Sequence, residues 1–271
     1  MKLCLIIGAM KSGTTTLHDH LCMHPEICAS QTKEPSFFTD PLSLSTPARY
    51  HILFPGITPK VWACEASTNY TKYPAFPGVP QRIQAMYPAA RLIYILRHPV
   101  ERIYSHYLHN IAQGREQRSF KDAVLGQDTH YLNVSRYYLQ LSQYLEFFPP
   151  ECILVLIFED FIQHTRETLQ RVFTFLNIDP NFIPPNLHEK RNITANKTMA
   201  SPVLQTLQTL PFYNYVPQPC HSLMRRLFRF PVPHKSILFN PAIHKTIVER
   251  LVDDIDNLQN YIGNIIHTWR L

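Results

Sequence analysis

The stretch CLIIGAMKSGTTTLHDHL, residues 4–21, decides how this chain is read. It opens on branched apolar residues, passes through a loop holding Gly8 and Gly13, and continues into a helical pattern at Thr14. The spacing of the two glycines is that of the Walker A motif, G-x-x-x-x-G-K-[ST]. Here Thr14 and Thr15 follow Gly13, and the lysine sits inside the loop as Lys11. Such a turn aims loop N–H groups and a helix N-terminus at one point, where an anion is favoured. Lys11 adds positive charge there, and the hydroxyls of Ser12, Thr14, Thr15 and Thr16 can donate to the same anion. The simpler alternative is a tight strand-to-helix turn closed by a Ser/Thr cap. A cap alone needs neither Lys11 nor the run of hydroxyls.

Outward from this loop, strands and helices alternate. Short apolar, branched runs predict strands at 3–7, 61–65, 91–96 and 153–158, of the kind buried on both faces. Helices are expected over 14–23, 100–113, 136–148, 165–177, 200–209 and 242–262. This alternation predicts an α/β fold, a central and mainly parallel sheet covered by helices on both sides. A single domain over residues 1–271 follows, with 184–240 as a basic, proline-punctuated, partly helical cap. The proline-rich stretches at 74–80, 184–185 and 211–219 read as surface loops, and 40–60 as an irregular lid or substrate loop.

Composition removes several classes. Hydrophobic residues make up 45% of the 271, too many for a disordered tail. No apolar run approaches the ~18 residues of a membrane span. Met1 and Lys2 run straight into the first strand with no secretory signal, so a cytoplasmic protein is expected. The sequons at Asn133, Asn192 and Asn196 then read as chance matches. The six cysteines (4, 22, 28, 64, 152 and 220) show no C-x-x-C spacing and read as small buried apolar groups. His20 and His24 have helical i, i+4 spacing but no evident third ligand, so no metal site is expected. The net charge is +6, and from Lys190 to Arg250 nine Lys/Arg face a single acid, Glu249. That excess marks either a solvated face or a surface for an anionic ligand, an acidic polymer or lipid headgroups; nucleic acid is not an expected partner. Glycine is absent between Gly126 and Gly263, which leaves Gly8 and Gly13 as the prominent pair.

KSGTTTL (11–17) after a first strand resembles the 5′-phosphosulfate loop of sulfotransferases that use 3′-phosphoadenosine 5′-phosphosulfate (PAPS). TKEPSFFTD (32–40) is similar to the K-E-P-x-F-F segment of the bacterial and heparan-sulfate type. CEASTNY (64–70) is similar to the family segment that runs from Glu to Tyr. LRHPVERIYSHY (96–107) resembles the 3′-phosphate segment, and LVLIFEDF (154–161) is also typical. These segments occur in the family's order, and the resemblance covers most of the chain.

The resemblance implies a P-loop-like three-layer sandwich and an in-line sulfuryl transfer from PAPS to an acceptor, leaving the desulfated product PAP. It implies Glu34 as general base, with Lys11 stabilising the leaving phosphate and Ser12, Gly13, Thr14, Thr15 and Thr16 cradling it. Arg97 and Ser105 would hold the 3′-phosphate, and no metal is required. Pro35, Phe37 and Phe38 are expected to set Glu34 in a stiff apolar mouth that raises its pKa. The alternative for Glu34 is an exposed loop carboxylate beside Lys33. For Arg97 it is a helix-entry ion pair with Glu101 at i+4. Lys33 and Glu65 are candidate acceptor contacts. Heparan-type enzymes carry a lysine after the glutamate of the third segment, where this chain has Ala66, and a Lys-Gly-Arg loop that it lacks. Lys190, Arg191 and Lys197 are candidates to cover the cofactor instead. The acceptor class is a hydroxyl, less readily an amine, of a small molecule, lipid or saccharide. The competing readings are a Mg-dependent P-loop kinase or hydrolase, which has no obvious Walker B aspartate here, and a non-catalytic nucleotide-binding relative.

Overall fold

The computed structural model describes residues 1–58, 61–185, 187, 198–200, 229–231 and 240–269. At its centre is a five-stranded sheet in the order β2-β3-β1-β4-β5, with every neighbouring pair parallel. The strands are β1 (Lys2–Gly8), β2 (Ile27–Ala29), β3 (Trp62–Ala66), β4 (Arg91–Leu96) and β5 (Ile153–Ile157). Alternate residues of each strand feed two separate cores. Leu3, Leu5, Ile7, Leu92, Tyr94 and Leu96 pack on one face, and Cys4, Ile6, Ile93 and Ile95 on the other. The strands therefore read as unbroken apolar runs.

Helices cover both faces. On one side lie α1 (Thr14–Leu21), α8 (Phe158–Gln163) and α9 (Thr165–Leu176), contributing Leu17, Leu21, Phe161 and the stripe Leu169, Val172, Phe173, Leu176. On the other lie α3 (Val79–Met86), α4 (Pro99–Ala112), α7 (Tyr137–Leu145), α10 (Pro241–Glu249) and α11 (Val252–Ile262). Shorter helices α2 (Pro47–His51), α5 (Phe120–Leu125) and α6 (His130–Asn133) fill the connections. This is the three-layer α/β architecture the sequence predicts. Among the described residues, no helix is long and apolar enough to cross a membrane.

Several local expectations change. The 40–60 segment is not a free lid: Tyr50 and Phe54 are buried in the core, and α2 lies within it. Pro80 belongs to the first turn of α3, where a missing N–H is tolerated, so the loop expected over 74–80 ends early. The helix expected over 242–262 is two helices meeting at Leu251. That residue is itself buried, so the apolar period runs across the break. The edge strand β2 has only three residues, too few to show a pattern. Within 184–240, the described residues include an antiparallel pair, β6 (Thr198–Ala200) and β7 (Arg229–Pro231). Apart from Ala200 in β6, the helix expected over 200–209 lies outside the described residues. So do Lys190, Arg191, Lys197 and Cys220.

The strand order fixes where a ligand sits. From β1 the chain winds out to β2, returns through β3, then crosses to β4 and β5 on the other side. The loops after β1, β3 and β4 diverge at the carboxyl end of β1, a topological switch point where open α/β sheets bind ligands.

Candidate active site

A cavity of about 290 Å³ opens at this switch point. Lys11, Gly13, Thr14, Thr15, Thr16, Lys33, Glu34, Arg97 and Ser105 all line it. Residues distant in sequence thus meet at one place. Met10, Thr68, His109 and Phe158 complete the wall. Sequence reading passed over these four although some signal was present. Thr68 lies within CEASTNY, Phe158 within LVLIFEDF, and His109 stands one helical turn beyond Ser105 on α4.

The loop after β1 is built to approach an anion closely. Ala9 donates its N–H to Ile95 O at 2.7 Å, and Ser12 N–H to Ala9 O at 3.1 Å, which closes the turn. Lys11 takes a left-handed backbone, φ 72°. Gly13 is the N-cap of α1 at φ 82°, with no side-chain cap and no acidic residue in the first turn. The Ser/Thr-capped alternative is therefore not what forms. The positive end of α1 is left for a ligand. A Cβ on Gly13 would stand 2.7 Å from the Phe158 ring, and one on Gly8 would stand 2.0 Å from Thr71 Oγ1. Both glycines are required by close approach. Ser12 does not line the cavity; its hydroxyl is buried with no partner among the described residues.

The opposite wall comes from the start of α4. Arg97, just past β4, stacks its guanidinium 5.3 Å from the Phe158 ring and reaches Lys11 O at 3.5 Å. It also pairs with Glu101 at 3.6 Å, so the helix-entry ion pair exists alongside the cavity position. Such a part-exposed pair contributes little stability. The Ser105 hydroxyl is buried and has no hydrogen-bond partner among the described residues. Behind it, fully buried Arg102 donates to Ser135 Oγ and Tyr131 O and meets His106 Nδ1 at 3.1 Å, fixing the roll of α4. Burial brings the Arg102 pKa down to about 10 and pushes that of His106 well below its ordinary range.

Glu34 stands exposed on the third wall, in a left-handed backbone with φ 50°. The apolar mouth expected around it does not form. Phe38 turns inward, fully buried against Tyr50, Tyr70 and Tyr87. Thr68 Oγ1 donates to Glu34 Oε2 at 3.3 Å. Glu65, a candidate acceptor contact, is fully buried and lines no part of the cavity. Tyr70 donates to its Oε1 at 2.6 Å, Tyr50 to the same oxygen at 3.2 Å, and Ser67 to Oε2 at 2.5 Å. Burial outweighs these bonds and pushes its pKa up to about 7. The two hydroxyls nearest Glu65 also hold the Glu34 loop. Ser36 N–H donates to Ser67 Oγ at 2.9 Å and Phe38 N–H to Tyr70 Oη at 3.4 Å.

His20 and His24 make no joint site. His20 packs against Phe161, while His24 lies between Phe173 and Phe182 and bonds Asp179 O at 3.1 Å. The described cysteines are all free thiols.

Comparison with known proteins agrees with this architecture. The family model described as "Sulfotransferase domain" matches residues 2–216. Carbohydrate sulfotransferase 15 of Mus musculus is 28% identical over 264 aligned residues, covering 72% of this chain and 46% of the relative. Heparan sulfate glucosamine 3-O-sulfotransferase 5 of Mus musculus is 26% identical over 196, covering 68% and 56%. The chain thus spans about half the length of the curated relatives it matches. Among solved structures, a sulfotransferase from Alicyclobacillus acidocaldarius superposes with TM-score 0.73 at 23% identity, covering 100% of this chain and 99% of that one. Mouse SULT7A1 complexed with PAP gives 0.51 at 16% identity, covering 97% and 88%.

Proposed function

This chain belongs to the sulfotransferase domain family, and from that premise we propose that it transfers a sulfuryl group from PAPS to an acceptor hydroxyl, less readily an amine, with Glu34 as general base. The observation that carries this reading is the juxtaposition in one cavity of a carboxylate, Glu34, with an anion-binding loop and the buried, unpartnered hydroxyl of Ser105. The residues fit the donor. The first turn of α1 carries neither a side-chain cap nor an acidic residue, which leaves its N–H groups for a phosphate, and the Ser105 hydroxyl awaits an acceptor oxygen of the kind a second phosphate offers. When bound, PAPS supplies an activated sulfuryl group on a phosphate that can depart.

The chain's own groups then divide the work. The N–H and hydroxyl groups of Thr14, Thr15 and Thr16 hold the 5′-phosphate at the positive end of α1. Lys11 neutralises charge that grows on the leaving oxygen. Arg97 and Ser105 hold the 3′-phosphate, the first as a forked donor. Glu34 accepts the acceptor's proton, its second oxygen steadied by Thr68. Glu65 acts at a distance: through Ser67 and Tyr70 it fixes the backbone of the loop that presents Glu34. Lys33, exposed at the rim, meets the acceptor. The curated relatives are named for carbohydrate and heparan sulfate, so a saccharide hydroxyl is the first acceptor class to test.

Calorimetric titration with PAP, and with ATP plus Mg²⁺, tests the donor. Metal-independent PAP binding that weakens by roughly 1.5–3 kcal/mol in Lys11→Ala is expected, the loss of one charge-assisted contact. A preference for ATP with Mg²⁺ would put the kinase reading first. PAP binding with no turnover on any acceptor, and no effect of Glu34→Gln, would leave a binding protein.

A further inference from the structure

One helical turn beyond the anion-binding end of α1 lies a second cluster of chemistry that sulfuryl transfer does not use. His18 and Cys22 stand at i and i+4 on one face of α1, with Cys22 at its C-cap. They face Cys64, buried in the middle of β3. One ligand atom from each of the three, an imidazole nitrogen and two Sγ, lies within 4.8 Å of the others. Cys22 Sγ lies 3.4 Å from His18 Nε2. A tetrahedral zinc ion with thiolates at ~2.3 Å and imidazole at ~2.0 Å needs its donors roughly 3.5–3.8 Å apart. Small side-chain rotations would close the set.

Three features beyond proximity favour a metal. The donors are thiol and imidazole, the set that selects zinc and other soft ions over magnesium or calcium. They come from a helix and a strand already locked together by the core, so the site is prepaid in conformational order. His18 already turns Nε2 toward the Cys22 thiol, the ring orientation a zinc ligand needs, with Nδ1 3.8 Å from the Asp19 carboxylate, beyond hydrogen-bond distance. His18 also lines a small recess with Thr14, Lys33 and Glu34, which sets the cluster beside the donor cavity.

We propose that His18, Cys22 and Cys64 form a site for one zinc ion, bound beside the donor cavity and tying the end of α1 to β3. The site is independent of the sulfotransferase reading. The test uses the full chain, reduced and handled anaerobically. Zinc affinity is measured by competition with a chromophoric chelator, and cobalt(II) is added in parallel. The expected result is one equivalent per chain, with thiolate-to-cobalt charge-transfer absorption and tetrahedral d–d bands. Affinity should fall at least tenfold in His18→Gln and in Cys22→Ser, and should hold in Cys152→Ser. Far-ultraviolet circular dichroism on each variant separates a lost ligand from a lost fold, and both α1 substitutions sit at part-exposed positions. Absence of stoichiometric binding overturns the site. So does binding unchanged in both folded α1 variants, or a cobalt spectrum without thiolate character. A Cys22–Cys64 disulfide that forms in the purified chain and persists under reductant would overturn it as well. PAP titration of the same samples reads the donor site separately.

Discussion

Glu34 and Glu65 belong to one hydrogen-bonded neighbourhood, yet the fold gives them opposite surroundings: solvent for the first, complete burial for the second. Glu34→Gln removes a proton acceptor and little else. It should leave PAP affinity nearly intact and lower turnover by about 10²-fold or more, read by comparing calorimetry with a steady-state assay. Glu65 should report through stability. Its folded pKa is pushed up to about 7 from an ordinary 4.5, chiefly by burial. Between those values the folded chain keeps a proton that the unfolded chain releases, so this group's contribution is full below the lower value and declines as pH rises toward 7. Glu65→Gln should flatten that decline in urea unfolding at stepped pH. An unchanged slope would mean Glu65 is not the group that titrates there. Ser105→Ala removes a hydroxyl that makes no bond within the described protein, so thermal stability should hold while PAP affinity falls by roughly 1.5–3 kcal/mol.

At the scale of elements, the tightest constraint is the joint between the loop after β1 and α8. Gly13→Ala asks a side chain to take φ 82° and to share space with the Phe158 ring. PAP affinity should drop at least tenfold. Adding Phe158→Ala should restore only part of it, because the clash goes and the left-handed backbone stays; full restoration would mean that conformation costs nothing. The same elements show what could be read in advance. β1, β4 and β5 are legible within a residue or so, since strands buried on both faces are plain apolar runs. The loop is legible too, because its two glycines and lysine are neighbours in sequence. The burial of Glu65 is not. It sits in β3 between Cys64 and Ala66, and its environment is made by Tyr50 and Tyr70, which only the folded chain brings over it. The failure of Phe37 and Phe38 to shelter Glu34 has the same origin. Local sequence offers two aromatics next to a carboxylate, and the core, which lies on the other side of the loop, takes Phe38.

For the whole molecule, positive charge gathers where the sheet switches direction: Lys11, Lys33 and Arg97 share one cavity, in a chain of net charge +6. PAP affinity should therefore fall steadily as salt is raised from about 0.05 to 0.5 M, since screening shortens to a few ångströms over that range. An affinity indifferent to salt would mean that ring contacts rather than charge dominate.

The scatter of the cavity wall along the chain has a consequence of its own. Its pieces come from residues 10, 11, 13–16, 33, 34, 68, 97, 105, 109 and 158, so the full wall exists only when five separate stretches of chain have come together. Occupancy is thus a property of the finished sheet, available to no fragment and to no half-assembled intermediate. A nucleotide in the cavity works as a keystone, since opening any one wall releases it. Hydrogen exchange should slow together in β1, β3, β4 and the first turns of α1 and α4 when PAP is added, as one cooperative block rather than a local patch.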